Sequence, residues 1–483
     1  MPASVPLINV TTRSGDAAGT AADTRVVPLF EGEGLAEEHL QRLVELGEAK
    51  SALKKVAVAH EDAPGGGQRR VLIAGMGRRG DLDPERARVA AAAAAARAGE
   101  LGTVSLSWDT PPGDGIATGL VDGTLLRLYR FDRFRASPEN GHAVESLELT
   151  GADDAEVESA RICVEAANAT RDLQNLPANY ATPTFLAERA GEIADQYDTL
   201  ELELLDRDAI EARGMGAFAA VAQGTETEPR LIVLRYRPPG ATGPHLGYVG
   251  KAVTFDTGGI SIKPSPKMQE MKFDMSGGAA VIEATGAIAR LGLPVTLTAI
   301  VPSTENMPSG NAVKPGDIVT AMNGKTIEVN NTDAEGRLIL ADSLCYAVQE
   351  GAERLLDIAT LTGAVLFALG HTYAGLWSND DAWFEQVRDA GDASGEIGWR
   401  MPLHPEYLEL TKGTVADLQN SAEARVAQSN YAAEFLRQFV DDRPWVHVDI
   451  AGTAWAMTRN YVGKGASGFG TRMLIELASR AAA

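Results

Sequence analysis

The chain has 483 residues, with 66 acidic and 44 basic side chains and a net charge of −22. This excess of negative charge argues against nucleic acid as the main partner, because phosphate contacts need clustered positive charge. The hydrophobic and charged fractions, 45% and 23%, are typical of a folded globular protein, and two cysteines, Cys163 and Cys345, exclude a disulfide framework.

The amino-terminal sequence indicates where we expect the protein to reside. Its first thirty residues have neither the positively charged start nor the apolar stretch of a secretion signal. No apolar run reaches the roughly 18 residues that a membrane helix needs. We therefore expect a cytoplasmic protein with no membrane partner.

The first recognisable elements lie in residues 71–107, which predict a strand, a glycine turn, an alanine-rich helix and a second strand. Asp83 is suited to cap this helix, and Pro84 to occupy its first position. The glycine pattern of residues 75–80 resembles a dinucleotide-binding fingerprint, but the acidic residue expected about 20 positions later is not in place. We interpret these glycines as a structural turn.

A helix is predicted from Asp153 to about Leu173, because this stretch has helical apolar spacing and neither glycine nor proline. A proline-containing loop ends it. We therefore predict an amino-terminal α/β domain over residues 1–150, a connecting helix and loop over 151–180, and a larger domain over 181–483.

The second part of the chain alternates strand-like runs with helical stretches, which favours an α/β class with a central mixed sheet flanked by helices. In sheets of this kind, chemistry usually lies beyond the carboxyl ends of the strands. The strand-like runs are residues 231–236, 246–250, 294–301, 326–330, 355–359 and 445–450.

Two segments, 249–278 and 330–344, place acidic, basic and glycine residues directly after strand-like runs. In the second, Asp333 and Glu335 are two positions apart, so an extended backbone would point both side chains to one face. Gly336 would then allow a sharp change of direction into the following helix. We therefore expect two carboxylates in the crevice beyond the sheet.

Four carboxylates in these segments would repel one another unless cations balance them. Two divalent ions would provide that balance, and hard oxygen ligands suit zinc, manganese or magnesium. The carboxylates are those of Asp256, Asp274, Asp333 and Glu335.

Three basic residues lie in the same segments. Lys251 could ligate a metal only as a neutral amine, which requires its pKa to fall far below the ordinary value. Lys263 and Arg337 could meet negative charge that develops on a substrate. Taken singly, each acidic residue is more often a helix cap, a turn residue or a solvated ion-pair partner than a metal ligand. Their joint occurrence with two lysines and an arginine indicates a site.

These motifs resemble those of the leucyl aminopeptidase family of dinuclear metallo-exopeptidases, most strongly from about residue 175 onward. One departure lies at residues 276–279, where many relatives have a single glycine before an alanine run, and it concerns local helix packing only. The matching motifs are GKAVTFDTGGISIKP at 250–264, Met271, KFDM at 272–275, NTDAEGR at 331–337 and ATLTGA at 359–364.

The resemblance implies a complete metal-ligand set. Asp256 and Glu335 would bridge two divalent metal ions. Asp333 would complete one metal site, and Lys251 with Asp274 would complete the other. This assignment agrees with the charge balance of the four carboxylates.

The resemblance also implies catalytic and substrate-binding residues. Lys263 and Arg337 would be catalytic, with Arg337 holding a bicarbonate ion that acts as general base. Leu361 and Asn331 would contact the substrate, the former through its backbone carbonyl. The pocket for the first side chain of the substrate would have small or apolar walls, formed by Met271, Thr360, Gly363 and Ala451. Met271 and Ala451 could also be ordinary core residues.

The function implied is a metal-dependent aminopeptidase that removes amino-terminal residues from peptides, preferring leucine and other apolar residues. By the same resemblance, the chain would form a homohexamer. A dinuclear-metal phosphoester hydrolase is an alternative, since carboxylate-rich metal pairs also bind phosphates. A DNA-binding role beside peptidase activity is a further alternative, as in some bacterial relatives.

Overall fold

A computed structural model describes residues 8–136 and 144–482. The chain forms two compact units, Met1–Asn168 with Thr458–Gly463, and Ala169–Met457 with Lys464–Ala483. Every helix in the described ranges is too short or too polar to traverse a lipid bilayer.

The first unit is built on a six-stranded sheet of described residues, with the strand order β1-β6-β5-β2-β4-β3. All neighbours in this sheet are parallel except β3 and β4. Its strands are β1 (Asn9–Arg13), β2 (Thr24–Phe30), β3 (Val56–Asp62), β4 (Gln68–Gly77), β5 (Ser105–Asp109) and β6 (Ser146–Thr150). The helices are α1 (Glu38–Glu45), α2 (Pro84–Glu100) and α3 (Ile116–Leu128), with short 3-10 helices at Ala17–Gly19 and Arg79–Asp81. Helix α4 (Asp154–Asn175) begins in this unit, and its last residues belong to the second.

The predicted strand-helix-strand unit corresponds to β4, α2 and β5. The Asp83 carboxylate accepts a hydrogen bond from the Arg86 N–H at 2.7 Å, and Pro84 begins α2 as expected. Gly75, however, lies inside β4 rather than in a turn. A Cβ there would lie 2.3 Å from the Ala52 carbonyl oxygen, so this glycine permits a close backbone approach.

The second unit contains the remaining elements. Its strands are β7 (Leu200–Leu205), β8 (Arg230–Tyr236), β9 (Leu246–Gly250), β10 (Ala252–Asp256), β11 (Leu297–Asn306), β12 (Asp317–Thr320), β13 (Thr326–Val329), β14 (Arg354–Ala359), β15 (Ala374–Ser378), β16 (Gly398–Arg400), β17 (Leu418–Gln419) and β18 (Trp445–Asp449). Its helices are α5 (Pro183–Ala194), α6 (Arg207–Ala212), α7 (Gly216–Ala222), α8 (Ser276–Leu291), α9 (Gly336–Gln349), α10 (Ala364–Leu369), α11 (Asp381–Ser394), α12 (Pro405–Glu409), α13 (Gln428–Arg437) and α14 (Thr471–Ala482), with a 3-10 helix at Met268–Met275.

The central sheet of this unit is mixed, as predicted. Its order is β16-β15-β18-β14-β9-β11-β8-β7, and β10 pairs with the end of β11. Strands β9, β10, β11, β14 and β18 are parallel to one another, whereas β15, β8 and β7 introduce antiparallel pairs. The carboxyl ends of the five parallel strands therefore meet at one edge of the sheet.

Helices cover both faces of this sheet, which the strand periodicity explains. Val249 belongs to an apolar cluster with residues of α7 and α9. The next residue back, Tyr248, donates its hydroxyl to the Leu474 carbonyl of α14. Successive residues of β9 therefore contact different helical layers.

The doubled glycine at the start of α8 has a packing reason. A Cβ at Gly277 would lie 2.0 Å from the Ile358 carbonyl oxygen, and one at Gly278 would lie 2.7 Å from the Ala252 Cβ. Both positions therefore allow α8 to lie directly against the sheet. The sequence departure seen here serves helix–sheet packing.

Candidate metal centre

The site begins where parallel strands end. Asp256 is the last residue of β10, and Asn306 is the last residue of β11. Lys251 is the single residue between β9 and β10, and Thr360 directly follows β14. The expectation that polar side chains gather beyond the carboxyl ends of the strands is therefore met.

A glycine turn holds the Asp256 carboxylate in place. Gly258 and Gly259 have φ values of +86° and +64°, which glycine adopts without strain. The Gly258 N–H donates to Asp256 Oδ1 at 2.9 Å, and the Asn306 amide donates to the same oxygen at 2.8 Å. The chain then turns back toward Asp256, so that Lys263 Nζ lies 2.7 Å from Asp256 Oδ2.

The loop before α9 brings two further carboxylates to Asp256. One oxygen each of Asp256, Asp333 and Glu335 lies within 4.8 Å of the others. The predicted extended backbone is wrong, however: Asp333 lies in a turn and Glu335 already has helical dihedral angles. The turn and the first helical residue, rather than a strand, place the two carboxylates together.

Gly336 also has a different role from the one predicted. It is the first residue of α9 and does not have a positive φ. A Cβ at this position would lie 2.7 Å from Cε and 2.8 Å from Nζ of Lys251. The glycine therefore provides room for the buried lysine and not a change of chain direction.

Lys251 joins Asp274 to the other carboxylates. Its Nζ lies 2.7 Å from Asp274 Oδ1 and 2.8 Å from Glu335 Oε1, and it donates to the Thr360 carbonyl at 3.1 Å. The Thr360 hydroxyl donates to Asp274 Oδ1 at 2.7 Å. Thr360, predicted as a pocket wall, thus also orients a carboxylate of the cluster.

The carboxylates perturb one another strongly. Burial and the Glu335 carboxylate raise the pKa of Asp256, and burial raises the pKa of Asp274 well above its ordinary value. Burial, with repulsion from Asp256, raises the pKa of Asp333 to about 7. Four carboxylates against the ammonium groups of Lys251 and Lys263 leave the cluster with excess negative charge, although the two lysines lower the pKa of Glu335 against the opposing effect of burial.

The two lysines partly offset that charge. Against the opposing effect of burial, Asp274 and Glu335 raise the pKa of Lys251, and Asp256 and Glu335 raise the pKa of Lys263. Lys251 is therefore an ammonium group in this arrangement of protein groups. Displacement of its proton would require a bound cation to supply the missing positive charge.

The donor set fits divalent cations. Asp274 Oδ2 and Glu335 Oε2 are buried and have no hydrogen-bond partner within the described ranges. Buried polar atoms without partners are rare, because they lose hydration without compensation. Together with the amine of Lys251, these hard carboxylate oxygens suit zinc, manganese or magnesium.

Arg337 is a second buried cation close to the cluster in sequence. It donates to the Asn420 carbonyl at 2.8 Å, and its guanidinium lies 5.3 Å from the centre of the Tyr431 ring. Burial lowers its pKa. Its Nε has no partner among residues 8–136 and 144–482, so the group retains a donor for an anion.

The predicted substrate residues lie on three segments. Met271 is half-buried in the 3-10 helix Met268–Met275, and Asn331 is half-buried in the turn that carries Asp333. Leu361 is half-buried and Gly363 is exposed, both directly after β14, whereas Ala451 is buried after β18.

Asp449, which sequence reasoning missed, connects two of these segments. Its Oδ1 accepts the Leu361 and Ala451 N–H groups, both at 3.1 Å, and its Oδ2 accepts the Thr362 hydroxyl at 2.6 Å. The side chain is fully buried, and burial raises its pKa. Its position as the last residue of β18 is the signal that could have identified it.

The chain is similar to known proteins along its whole length. The family profile described as "Cytosol aminopeptidase family, catalytic domain" matches residues 168–475, and the corresponding N-terminal domain profile matches residues 19–138. A probable cytosol aminopeptidase of Solibacter usitatus is 46% identical over 95% of this chain and 96% of its own. Another, of Roseiflexus castenholzii, is 42% identical over 97% and 98%.

Solved structures agree with this relationship. The bottromycin maturation enzyme BotP in complex with Mn has a TM-score of 0.87 and 32% identity, covering 96% of this chain and all of that one. A second structure of BotP gives a TM-score of 0.85 at the same identity, covering 95% and 99%. With both family domains matched in order and the acidic cluster in place, the chain belongs to the cytosol aminopeptidase family and is a metal-dependent aminopeptidase.

Proposed function

We propose that this aminopeptidase removes amino-terminal residues, preferring leucine and other apolar residues, by means of water activated by two divalent metal ions. The observation that carries the proposal is the buried cluster of carboxylates in which Asp274 and Glu335 each keep one oxygen without a hydrogen-bond partner in the described part of the chain. A pair of cations would satisfy both oxygens and balance the excess negative charge.

The five proposed ligands divide between two ions. Asp256 and Glu335 would lie between the ions, Asp333 would complete the first site, and Lys251 with Asp274 would complete the second. When bound, two such ions would polarise the peptide carbonyl and lower the pKa of a water molecule to about 7. The family relationship and the Mn named in the BotP complex support this division.

Two cationic side chains would assist the reaction. Lys263, held by Asp256 and Asp333, would stabilise negative charge on the substrate carbonyl oxygen, a contact often worth about 3–4 kcal/mol. Arg337 would hold bicarbonate through its remaining donors, and the bound anion would act as general base. The fixed position of the guanidinium over Tyr431 supports this role.

The substrate would lie against the segments that Asp449 connects. The Leu361 carbonyl and Asn331 would bind the peptide backbone, and a pocket of small and apolar groups would receive the first side chain. That pocket would consist of Met271, Thr360, Gly363 and Ala451. Such walls accommodate a leucine-like group without unpaired polar atoms.

Metal identity, assembly and location complete the proposal. Zinc or manganese is proposed as the resident metal, with magnesium as a further candidate, and metal analysis of the purified protein will distinguish them.

We also propose a homohexamer, which sedimentation velocity will test. A cytoplasmic location is consistent with the names of the relatives, which are cytosol aminopeptidases.

The decisive experiment compares three substrates with Mn²⁺-loaded and Zn²⁺-loaded protein. Leucine should be released from leucine amide but not from its N-acetyl derivative, because the proposed reaction requires a free amino terminus. Phosphate release from an aryl phosphate should be negligible. Preferential phosphate release would contradict the proposal and favour the phosphoester alternative. Equal cleavage of the acetylated amide would contradict the proposed need for a free amino terminus.

A further inference from the structure

Asn420, a residue from a distant part of the chain, contacts the loop that carries Asp333 and Glu335 at several points, whereas Ser261 and Asn306 contact it at Thr332. Asn420 directly follows β17, and its side chain is fully buried. The loop follows β13, the strand with which β17 pairs in a small three-stranded sheet. Pairing of the two strands therefore delivers Asn420 to the loop.

The Asn420 side chain uses its whole hydrogen-bonding capacity on the backbone of this loop. Its Oδ1 accepts the N–H groups of Asn330 and Asn331 at 2.9 and 3.2 Å. Its Nδ2 donates to the carbonyl oxygens of Asn331 and Ala334 at 2.7 and 3.2 Å. Donors face one end of the amide and acceptors face the other, so the arrangement fixes its orientation.

The backbone of Asn420 extends the same connection. Its N–H donates to the Glu328 carbonyl at 2.9 Å, which continues the pairing of β17 with β13. Its carbonyl accepts from the Arg337 guanidinium at 2.8 Å. One residue therefore contacts both the turn that carries Asp333 and the side chain of Arg337.

We propose that Asn420 is a positioning residue that fixes the 330–335 loop and the Arg337 guanidinium in one arrangement. It acts through Asp333, Glu335 and Arg337 and does not itself touch the metal ions or the substrate. The inference deepens the proposed function, on which it rests. A carboxamide is required because aspartate has the same shape but would turn an acceptor toward the carbonyls of Asn331 and Ala334.

Two substitutions test this role, with a neighbouring control. Asn420→Asp retains the size of the side chain but loses both donated hydrogen bonds. Asn420→Ser removes most of the side-chain hydrogen bonds of Asn420 and leaves room for water. It adds no charge, so it serves as the test if Asn420→Asp does not fold. Asn330→Asp is the control, because Asn330 is exposed and its side-chain amide donates to the Gln419 side chain at 2.8 Å.

The first measurement uses Mn²⁺ alone, by titration calorimetry on metal-stripped protein. Both Asn420 variants should bind Mn²⁺ about 10–100-fold more weakly, as expected when a partner that orients metal ligands is lost. The second uses leucine amide at saturating Mn²⁺, with rates normalised to metal-loaded sites. There kcat should fall by about 10–100-fold, with a smaller change in KM.

Distinct results would overturn the inference. Wild-type Mn²⁺ affinity and wild-type kcat per loaded site, with only a lowered melting temperature, would show that Asn420 has a purely structural role. An equal loss in Asn330→Asp would show that added charge alone explains the effect. If the wild type binds Mn²⁺ but does not cleave leucine amide, the proposed function fails, while weaker Mn²⁺ binding by the Asn420 variants still supports the positioning role.

Discussion

Lys251 shows how one buried side chain sets requirements on residues far along the chain. Its ammonium group contacts Asp274 and Glu335, and its side chain leaves no room for a Cβ at Gly336. Neither requirement is visible from the residues beside Lys251. The ligand cluster is therefore a set of mutually dependent positions.

Glu335→Ala should remove metal binding and hydrolysis while the fold is retained. Glu335 is the carboxylate proposed to lie between the ions, and its loss leaves Lys251 with Asp274 as its acidic partner. Mn²⁺ affinity should fall by more than the roughly 100-fold of an outer-shell change. Titration calorimetry measures the loss of metal binding, and circular dichroism checks that the fold is retained.

The control is Glu409→Ala, at an exposed position paired with Lys412. An active Glu335→Ala enzyme would refute the bridging role.

Arg337→Ala should reduce turnover but leave the metal content unchanged. Arg337 contacts the Asn420 carbonyl and the Tyr431 ring, and in the proposed mechanism it holds an anion and not a metal. We expect kcat to fall by about 10²–10³-fold, as when a group that stabilises transition-state charge is removed. Elemental analysis alongside kinetics checks this. Arg337→Lys, which retains the charge but not the planar donor fork, should be intermediate; loss of a metal would show a wrong assignment.

At the scale of elements, the position of α8 depends on glycine. Gly277→Ala should destabilise the protein by about 1–3 kcal/mol, because the new Cβ meets the Ile358 backbone carbonyl, which cannot move aside cheaply. Gly191→Ala in α5 is the matched control, since its nearest neighbour, a Leu202 methyl carbon, is 3.7 Å away. That variant should gain about 0.5–1 kcal/mol.

Thermal and chemical unfolding of the two glycine variants will compare these stabilities. The melting temperature should fall for Gly277→Ala and rise slightly for Gly191→Ala. Equal behaviour of the two variants would mean that α8 can shift away from the sheet without cost.

Alternation of strands and helices predicted the mixed α/β class because hydrophobic periodicity is a local property. The same is true of Asp83, whose role as a helix cap depends only on the residues that follow it. The local backbone conformation at the site was harder to predict from the sequence. Asp333 and Glu335 were expected in an extended segment, yet Asp333 lies in a turn and Glu335 directly precedes α9.

Long-range partners explain what the sequence did not reveal at the site. Gly336 was interpreted through its backbone freedom, whereas its real constraint is Lys251, 85 positions earlier. Asn420 directly follows β17, and Asp449 is the last residue of β18. Their partners Asn331 and Leu361 lie more than 80 positions away, so only the folded sheet shows these contacts.

At the scale of the whole molecule, the proposed metals should stabilise the fold, since their ligands come from several elements of the large unit. A ligand that binds only the native state adds about 2.7 kcal/mol at 100 times its Kd. Chelation with EDTA should therefore lower the melting temperature, and added Mn²⁺ should restore it in a concentration-dependent manner. Scanning fluorimetry of the wild type and of Glu335→Ala checks this: the variant should respond little, and an unresponsive wild type would contradict the proposed metal site.

The gathering of the site at the carboxyl ends of parallel strands also has a consequence for biosynthesis. Lys251 follows β9, whereas Asn420 and Asp449 come after β17 and at the end of β18. A ribosome that has translated only the first two thirds of the message has therefore not yet made the residues that hold the catalytic loop and the substrate segments. We therefore expect a nascent chain to complete its proposed site only after β18 has been made and has joined the sheet.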